Sequence, residues 1–321
     1  MSHLYRFLVT LVCLCVFSSV ISAPKAITPS DVYSKVSTLS HNIELIRKAL
    51  GRPKTNKALI IVKDASPREV YFEAQVLFKK SNRLTDEILG SYAIEPKKSI
   101  KNLGSADVLA LVNAAYDRVQ AILKHYKIKT DSDVLNQKNN ATPTDVYNAI
   151  LRVNQELNAL LYHQFSPGDV YEQVTLAVNY MAELLQTFNA DDYIPDTKKF
   201  ISNKTPSEVY ARLSKCLKVL RSITNKSGLK LLNVQLNDND VSRLTPSDVY
   251  DLSTIIVSEV SYLNSLIPGA KVLEAYYPGY KTPSEVFQRA GVLLDQLVLL
   301  KSFVIKNPKR LNHVSGVSQK R

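Results

Sequence analysis

Apolar residues recur along this chain with the spacing of one face of an α-helix. From Val32, steps of 4, 3, 4, 3 and 4 residues reach Leu50, and every position on the way is apolar. Of the 48 positions that this rule samples in eight copies, 44 are apolar, although hydrophobic residues make up 45% of the chain. The starting residues of the eight copies are Val32, Val70, Val108, Val146, Val170, Val209, Val249 and Val286. Such a stripe is typical of helices that pack lengthwise, so the sequence predicts an all-α protein of eight amphipathic helices, each of about 23 residues.

The eight stripes form an internal repeat. Successive starting valines are 38, 38, 38, 24, 39, 40 and 37 residues apart, a period typical of repeated helical units. Six of the seven connections have 14 to 17 residues, whereas the fourth has only Phe165. This short join predicts two duplicated four-helix units, 24–164 and 165–306. The sequence leaves open whether they form two bundles or one solenoid, and whether the helices of a unit run parallel or antiparallel.

A helix-start motif precedes almost every stripe. In seven copies a Ser or Thr is followed by Pro, and an acidic residue stands two positions after the Pro, directly before the stripe valine. The hydroxyl can accept from a free backbone N–H, Pro loses no hydrogen bond at this position, and the acid lies at the positive end of the helix dipole. The third copy begins at Gly104 without the hydroxyl and the Pro, so it has the weakest predicted start. The predicted N-caps are Thr28, Ser66, Thr142, Ser166, Thr205, Thr245 and Thr282.

The first residues resemble an export signal. Arg6 precedes an apolar run that is interrupted only by Thr10, and small residues then allow cleavage near Ser22 or Ala23. The run is too short for a comfortable membrane span, and the mature chain has no apolar stretch long enough for one. We therefore predict a signal peptide over 1–23 and a secreted or periplasmic protein.

The chain is basic, with a formal net charge of +12. After Asp295 there are six Lys or Arg and no acidic residue, so we expect a basic C-terminal tail over 307–321. A surface of this charge attracts anionic lipids or other polyanions, but it carries no specificity, and no nucleic-acid-binding motif is present. Binding of a protein or an anionic surface is the expected partnership, and a small ligand remains an alternative.

Signatures of catalysis, metal binding and cofactor binding are absent from the sequence. The chain has no H-x-x-x-H, no C-x-x-C and no glycine-rich phosphate loop, so we predict no catalytic, cofactor or metal-binding residues. Cys216 falls on a stripe, where a buried and unreactive thiol is expected. His125 and His163 occupy the same place in two copies, but no third ligand accompanies them, so a helix-end role is favoured over a metal site.

Two further groups of residues are candidates for ligand contacts. An aromatic residue follows the stripe valine in seven copies, and we expect each ring to cover its own helix start rather than to join an aromatic cage. These residues are Tyr33, Tyr71, Tyr147, Tyr171, Tyr210, Tyr250 and Phe287, with Leu109 in the remaining copy. Asn154, Asn158 and Asn179 depart from the repeat beside the short join, so a cleft between the two units is a candidate pocket.

The functional prediction is an exported, non-enzymatic helical-repeat protein that acts as a scaffold or interaction module. The alternative is a periplasmic protein that binds or senses a small ligand. An enzyme would require titratable groups that converge from different helices.

Overall fold

The computed structural model describes residues 26–54, 60–96, 102–130, 138–188, 193–196, 199–236, 244–309 and 311. The predicted signal peptide and most of the basic tail lie outside these residues. Within them the chain forms eight α-helices and one two-stranded sheet, which confirms the all-α class. The elements are α1 (Pro29–Ala49), β1 (Ile60–Lys63), α2 (Pro67–Leu89), α3 (Ser105–His125), α4 (Pro143–Leu160), α5 (Pro167–Gln186), α6 (Pro206–Ser227), β2 (Asn233–Leu236), α7 (Pro246–Ser265) and α8 (Pro283–Lys306).

Every helix begins where the motif predicts it. The seven predicted Ser and Thr residues are N-caps, and Pro is the first helical residue after each of them. In α4, the Thr142 hydroxyl accepts from the backbone N–H of Asp145 at 3.2 Å, and the Asp145 carboxylate accepts from that of Thr142 at 2.8 Å. In α3, the Asp107 carboxylate accepts from the backbone N–H of Gly104 at 2.9 Å. Because Gly104 has no hydroxyl, α3 keeps one of these two contacts.

The predicted stripes form the core. Of the 48 stripe positions, 43 are buried, and they belong to one continuous cluster or lie beside it. The five that are not buried each end their stripe: Leu50, Ile88, Tyr126, Gln164 and Ile267. The predicted length of about 23 residues is too long for α4, which has 18 and stops before Gln164. No helix among the described residues is long and apolar enough to cross a lipid bilayer.

The helices pack as two sets of four. α1 and α2 each pack against α3 and α4, and α5 and α6 each pack against α7 and α8. We call α1–α4 the N-terminal quartet and α5–α8 the C-terminal quartet. In both, the first two helices lie diagonally opposite each other. That the two quartets arose by duplication remains a prediction.

Within each quartet all four helices point the same way. The first-turn Pro and the stripe valine of α5, α6, α7 and α8 meet around a space of only about 10 Å³. The N-terminal quartet has the same arrangement, with Ser105 in place of Pro in α3. Further along, contacts still join residues at similar distances from their helix starts: the Cys216 thiol lies 3.8 Å from the Ala290 carbonyl oxygen. The end of one helix and the start of the next in the same quartet therefore lie roughly 30 Å apart, and the linker between them has to bridge this distance.

The two quartets are antiparallel to each other and meet through α2 and α7. Arg68, near the start of α2, lies 3.6 Å from Glu259 in the second half of α7. Lys80, in the second half of α2, lies 2.5 Å from Asp251 near the start of α7. Linkers of the two quartets also pair, because β1 and β2 form an antiparallel ladder with Ile60 opposite Leu236. The two linkers thus act as extended straps.

The cap geometry predicts the effect of removing one hydroxyl. We expect Thr142→Ala to lower the free energy of unfolding by about 1 kcal/mol, because the backbone N–H of Asp145 loses its acceptor. The matched control is Thr38→Ala in α1, where the hydroxyl donates to the carbonyl of Ser34 in the same helix at 3.1 Å. Chemical denaturation of both variants measures the difference, and an equal effect of the two substitutions would contradict the assigned cap.

Candidate functional site

A buried ion pair joins the two quartets. The Lys80 ammonium, with 0% exposure, donates to Asp251 at 2.5 Å and to the backbone carbonyl of Asn154 at 3.2 Å. The side-chain amide of Asn158 donates to the second Asp251 oxygen at 2.9 Å. The charges of α2 and α7 therefore compensate each other, and α4 supplies the hydrogen bonds that keep them in place.

A second buried carboxyl group extends this cluster. The Asn154 side chain donates to Glu73 at 2.6 Å, and the Tyr147 hydroxyl donates to the other Glu73 oxygen at 3.1 Å. Burial raises the pKa of Glu73 to about 7, against the effect of these hydrogen bonds and of Lys80. Burial likewise raises the pKa of Glu259 in α7 to about 7, although the nearby Arg68 guanidinium opposes the rise.

Titratable groups from different helices thus converge, which is what an enzyme would require. However, Glu73, Lys80 and Asp251 are at most 5% exposed, and they are occupied by one another and by two asparagines. The polar atoms of these three side chains therefore have partners inside the protein. The geometry suits a cluster that holds α2, α4 and α7 in register.

An open cleft of about 570 Å³ lies beside this cluster. One wall is α2 of the N-terminal quartet, from Tyr71 to Lys79, and the opposite wall is α7, from Tyr250 to Ser261. The helix α5, the linker between α7 and α8, and Glu95 in the linker between α2 and α3 complete it. Because these stretches span 9 to 12 residues, the cleft is elongated, roughly 12 to 16 Å long.

The linker wall is attached to α5 at two places. The Tyr180 hydroxyl accepts from the backbone N–H of Leu273 at 3.0 Å and donates to its carbonyl oxygen at 3.2 Å. At the start of α5, a Cβ on Gly168 would come within 2.7 Å of the Gly279 carbonyl and 2.9 Å of the Tyr277 ring. Gly168 stands where most copies of the motif have Ser, Thr or Arg. The departure from the repeat makes room for the linker.

Of the asparagines predicted to line a cleft between the units, Asn158 lines a small one, and none of the three lines the large cleft. Asn154 is fully buried in the ion cluster, and Asn158 borders a smaller pocket of about 140 Å³ beside Gln164 and Ser247. Asn179 is half-buried in α5, next to Tyr180, which does line the cleft. The smaller pocket thus lies between α4 and the start of α7, whereas the large cleft has walls from α2, α5 and α7.

The aromatic residues after the stripe valines do not form one cage. Tyr71, Tyr147, Tyr210 and Tyr250 are buried, and the other members of the set are partly buried. The Tyr147 hydroxyl does not face water, because it donates to Glu73 inside the protein. Tyr71 and Tyr250, from opposite quartets, both line the cleft.

The other candidates lie outside the cleft. Cys216 has 0% exposure, and burial raises the pKa of its thiol to about 12, as expected for an unreactive stripe residue. His125 and His163 are exposed, and His125 stacks edge-on against Tyr126. The described residues contain no group of three or more His, Cys, Asp or Glu with metal-binding geometry.

Sequence reasoning missed the buried charges. Lys80 and Asp251 are not stripe residues, and a charged residue outside the stripe normally faces solvent. A signal was present in α7, where Ser253, Ser258 and Ser261 interrupt an apolar helix. Small hydroxyl residues can be buried because they bond back to their own helix, as Ser253 does to the Tyr250 carbonyl at 2.7 Å. They indicate a helix that is covered on more than one side.

The raised pKa of Glu73 predicts a dependence of stability on pH. The folded state holds this proton up to about pH 7, whereas an ordinary Glu releases it near 4.5. The free energy of unfolding therefore falls as the pH rises between these values, on the order of 3 kcal/mol for one such group. We expect Glu73→Gln to reduce this fall, and the control Asp86→Asn, an exposed site in the same helix, to leave it unchanged. Urea denaturation between pH 4 and 8 measures it, and parallel curves for wild type and Glu73→Gln would contradict the assignment.

The close approach at Gly168 predicts that a side chain there releases the linker. We expect Gly168→Ser to accelerate amide hydrogen exchange across residues 270–279, with little change in the α5 core. The control, Ser207→Ala, changes the same motif position at the start of α6. Unaltered exchange in Gly168→Ser would show that the linker is not held against this helix start.

Comparisons with protein-family models, with curated proteins and with solved structures found no match to this chain.

Proposed function

We propose that the chain is an exported, non-enzymatic binding protein that holds a small organic molecule in the cleft between the quartets. The observation that carries this proposal is the cleft itself. Its volume of about 570 Å³ lies within the range of roughly 300 to 1,000 Å³ that ligand pockets occupy. Its walls combine aromatic rings with a few polar groups, which is the usual composition of such sites.

The interior of each quartet is less suitable for a ligand. At the shared helix starts the enclosed space is only about 10 Å³ in either quartet. The stripes below it are closely packed, with Leu213, Leu220 and Leu293 all at 0% exposure. A ligand would therefore sit between the quartets rather than within one.

Export and the absence of catalysis are parts of the same proposal. The predicted signal peptide over 1–23 favours secretion or transport to a periplasm. The inaccessibility of Glu73, Lys80 and Asp251 favours a structural role for these groups. No cofactor is proposed.

A scaffold or interaction role is the second candidate, and exposed aromatic residues favour it. Phe200 is 50% exposed in the linker between α5 and α6, and Tyr276 and Tyr280 are 73% and 86% exposed in the linker between α7 and α8. Aromatic side chains of this kind are enriched in protein interfaces. The basic tail over 307–321 would add attraction to anionic surfaces.

The cleft proposal is tested with an uncharged fluorescent dye. We expect Nile red to bind the wild-type protein saturably, with one site per chain. Thr254→Trp places an indole in the cleft and should abolish this binding, because Thr254 is part of the α7 wall. The control Val298→Trp introduces the same side chain at an exposed position of α8 and should leave binding intact.

Two results would contradict the proposal. The first is the absence of saturable binding to the folded wild-type protein. The second is equal binding to Thr254→Trp and Val298→Trp, which would place the dye on the exposed linker aromatics and favour the interaction role.

A further inference from the structure

Two polar side chains in the cleft have no hydrogen-bond partner. Gln173 is 9% exposed and makes no hydrogen bond within the described part of the chain. The Ser258 hydroxyl is also buried, and no described group bonds to it. Both residues line the cleft. Because a buried polar group without a partner is costly, the Ser258 hydroxyl is a group that a bound molecule can satisfy, and the Gln173 amide offers a second contact.

The charge of the cleft is negative, although the chain as a whole is positive. Three carboxylates and one ammonium line it: Glu95, Glu172, Glu274 and Lys79. Glu95 already accepts from Gln75 at 2.6 Å and lies 3.8 Å from the Lys79 ammonium. Glu172, by contrast, makes no hydrogen bond or ion pair with any described residue, and partial burial raises its pKa. One half-buried carboxylate is therefore available to a ligand.

The aromatic rings around the cleft are held in fixed positions. Tyr250 stacks on Phe165 with 3.9 Å between ring centres and an angle of 15°, and Tyr71 meets Phe72 edge-on at 6.2 Å. Tyr180 is fixed by its two hydrogen bonds to Leu273. The faces of such rings attract organic cations as well as apolar groups.

We infer that the cleft binds an organic ammonium compound with an extended apolar or aromatic body. The inference rests on the proposed binding function and specifies its ligand class. The ammonium group lies against Glu172, the apolar body lies along the partly exposed Phe72, Leu176 and Val257 of the cleft walls, and Gln173 hydrogen-bonds to a polar group of the ligand. The elongated shape of the cleft favours a chain-like molecule over a compact one.

A pair of probes that differ in charge tests the inference. 4-Phenylbutylamine and 4-phenylbutyrate have the same apolar body, but at pH 7.5 one is a cation and the other an anion. We expect calorimetric titration to show that the amine binds at least about tenfold more tightly, a preference worth about 1.4 kcal/mol. Glu172→Gln should remove most of this preference, whereas the control Asp117→Asn, an exposed carboxylate on α3, should retain it.

Each of the other results separates this inference from the proposal on which it rests. If both probes bind equally and Thr254→Trp abolishes both, the cleft binds ligands but has no preference for cations, and the inference is wrong. Tighter binding of the carboxylate would also overturn it and would assign the dominant charge to Lys79. If Nile red binds in the cleft and neither probe does, the ligand class is wrong. If none of the three compounds binds, the proposed function fails as well.

Discussion

The structure depends on parallel packing: in each quartet, the N-termini of all four helices meet at one end. Parallel packing adds the helix dipoles instead of cancelling them, so each quartet gathers four positive ends in one plane. The repeated motif places a negative charge at each of these positive ends, because every helix carries an acidic residue at its third position. Each such charge contributes about 0.3 to 1 kcal/mol at a helix N-terminus. The antiparallel arrangement of the two quartets then opposes their overall dipoles.

The same constraint explains the linkers. A helix that must begin where the previous one began needs a connection that returns along the whole quartet. These connections are therefore long, and described parts of two of them are attached to helices. Asn148 of α4 holds β1 through two hydrogen bonds to the backbone of Val62, at 3.1 and 2.8 Å. The linker between α7 and α8 is attached in a similar way to α5, and it becomes a wall of the cleft.

The contact between the quartets combines charge with packing. A buried ion pair is rarely a large source of stability, because desolvation offsets the attraction between the charges. The ion pair between Lys80 and Asp251 instead fixes the register of α2 against α7, because both side chains are buried and have few alternative partners there. The cleft lies immediately beside this contact, where its shape follows from the same register. The same cluster therefore positions α2 and α7, two walls of the proposed binding site.

The sequence by itself determined the local structure. Each N-cap, each Pro and each stripe from Val32 to Val304 could be read from the chain, because caps and helix periodicity depend on residues within a few turns. The sequence could not predict the direction of the helices, the burial of Lys80 or the position of the cleft. They depend on which helices meet, and the 14- to 17-residue connections are long enough to allow either direction. Only the tertiary structure brings Tyr71 and Tyr250 to one cleft, since they belong to different quartets and lie 179 residues apart in the chain.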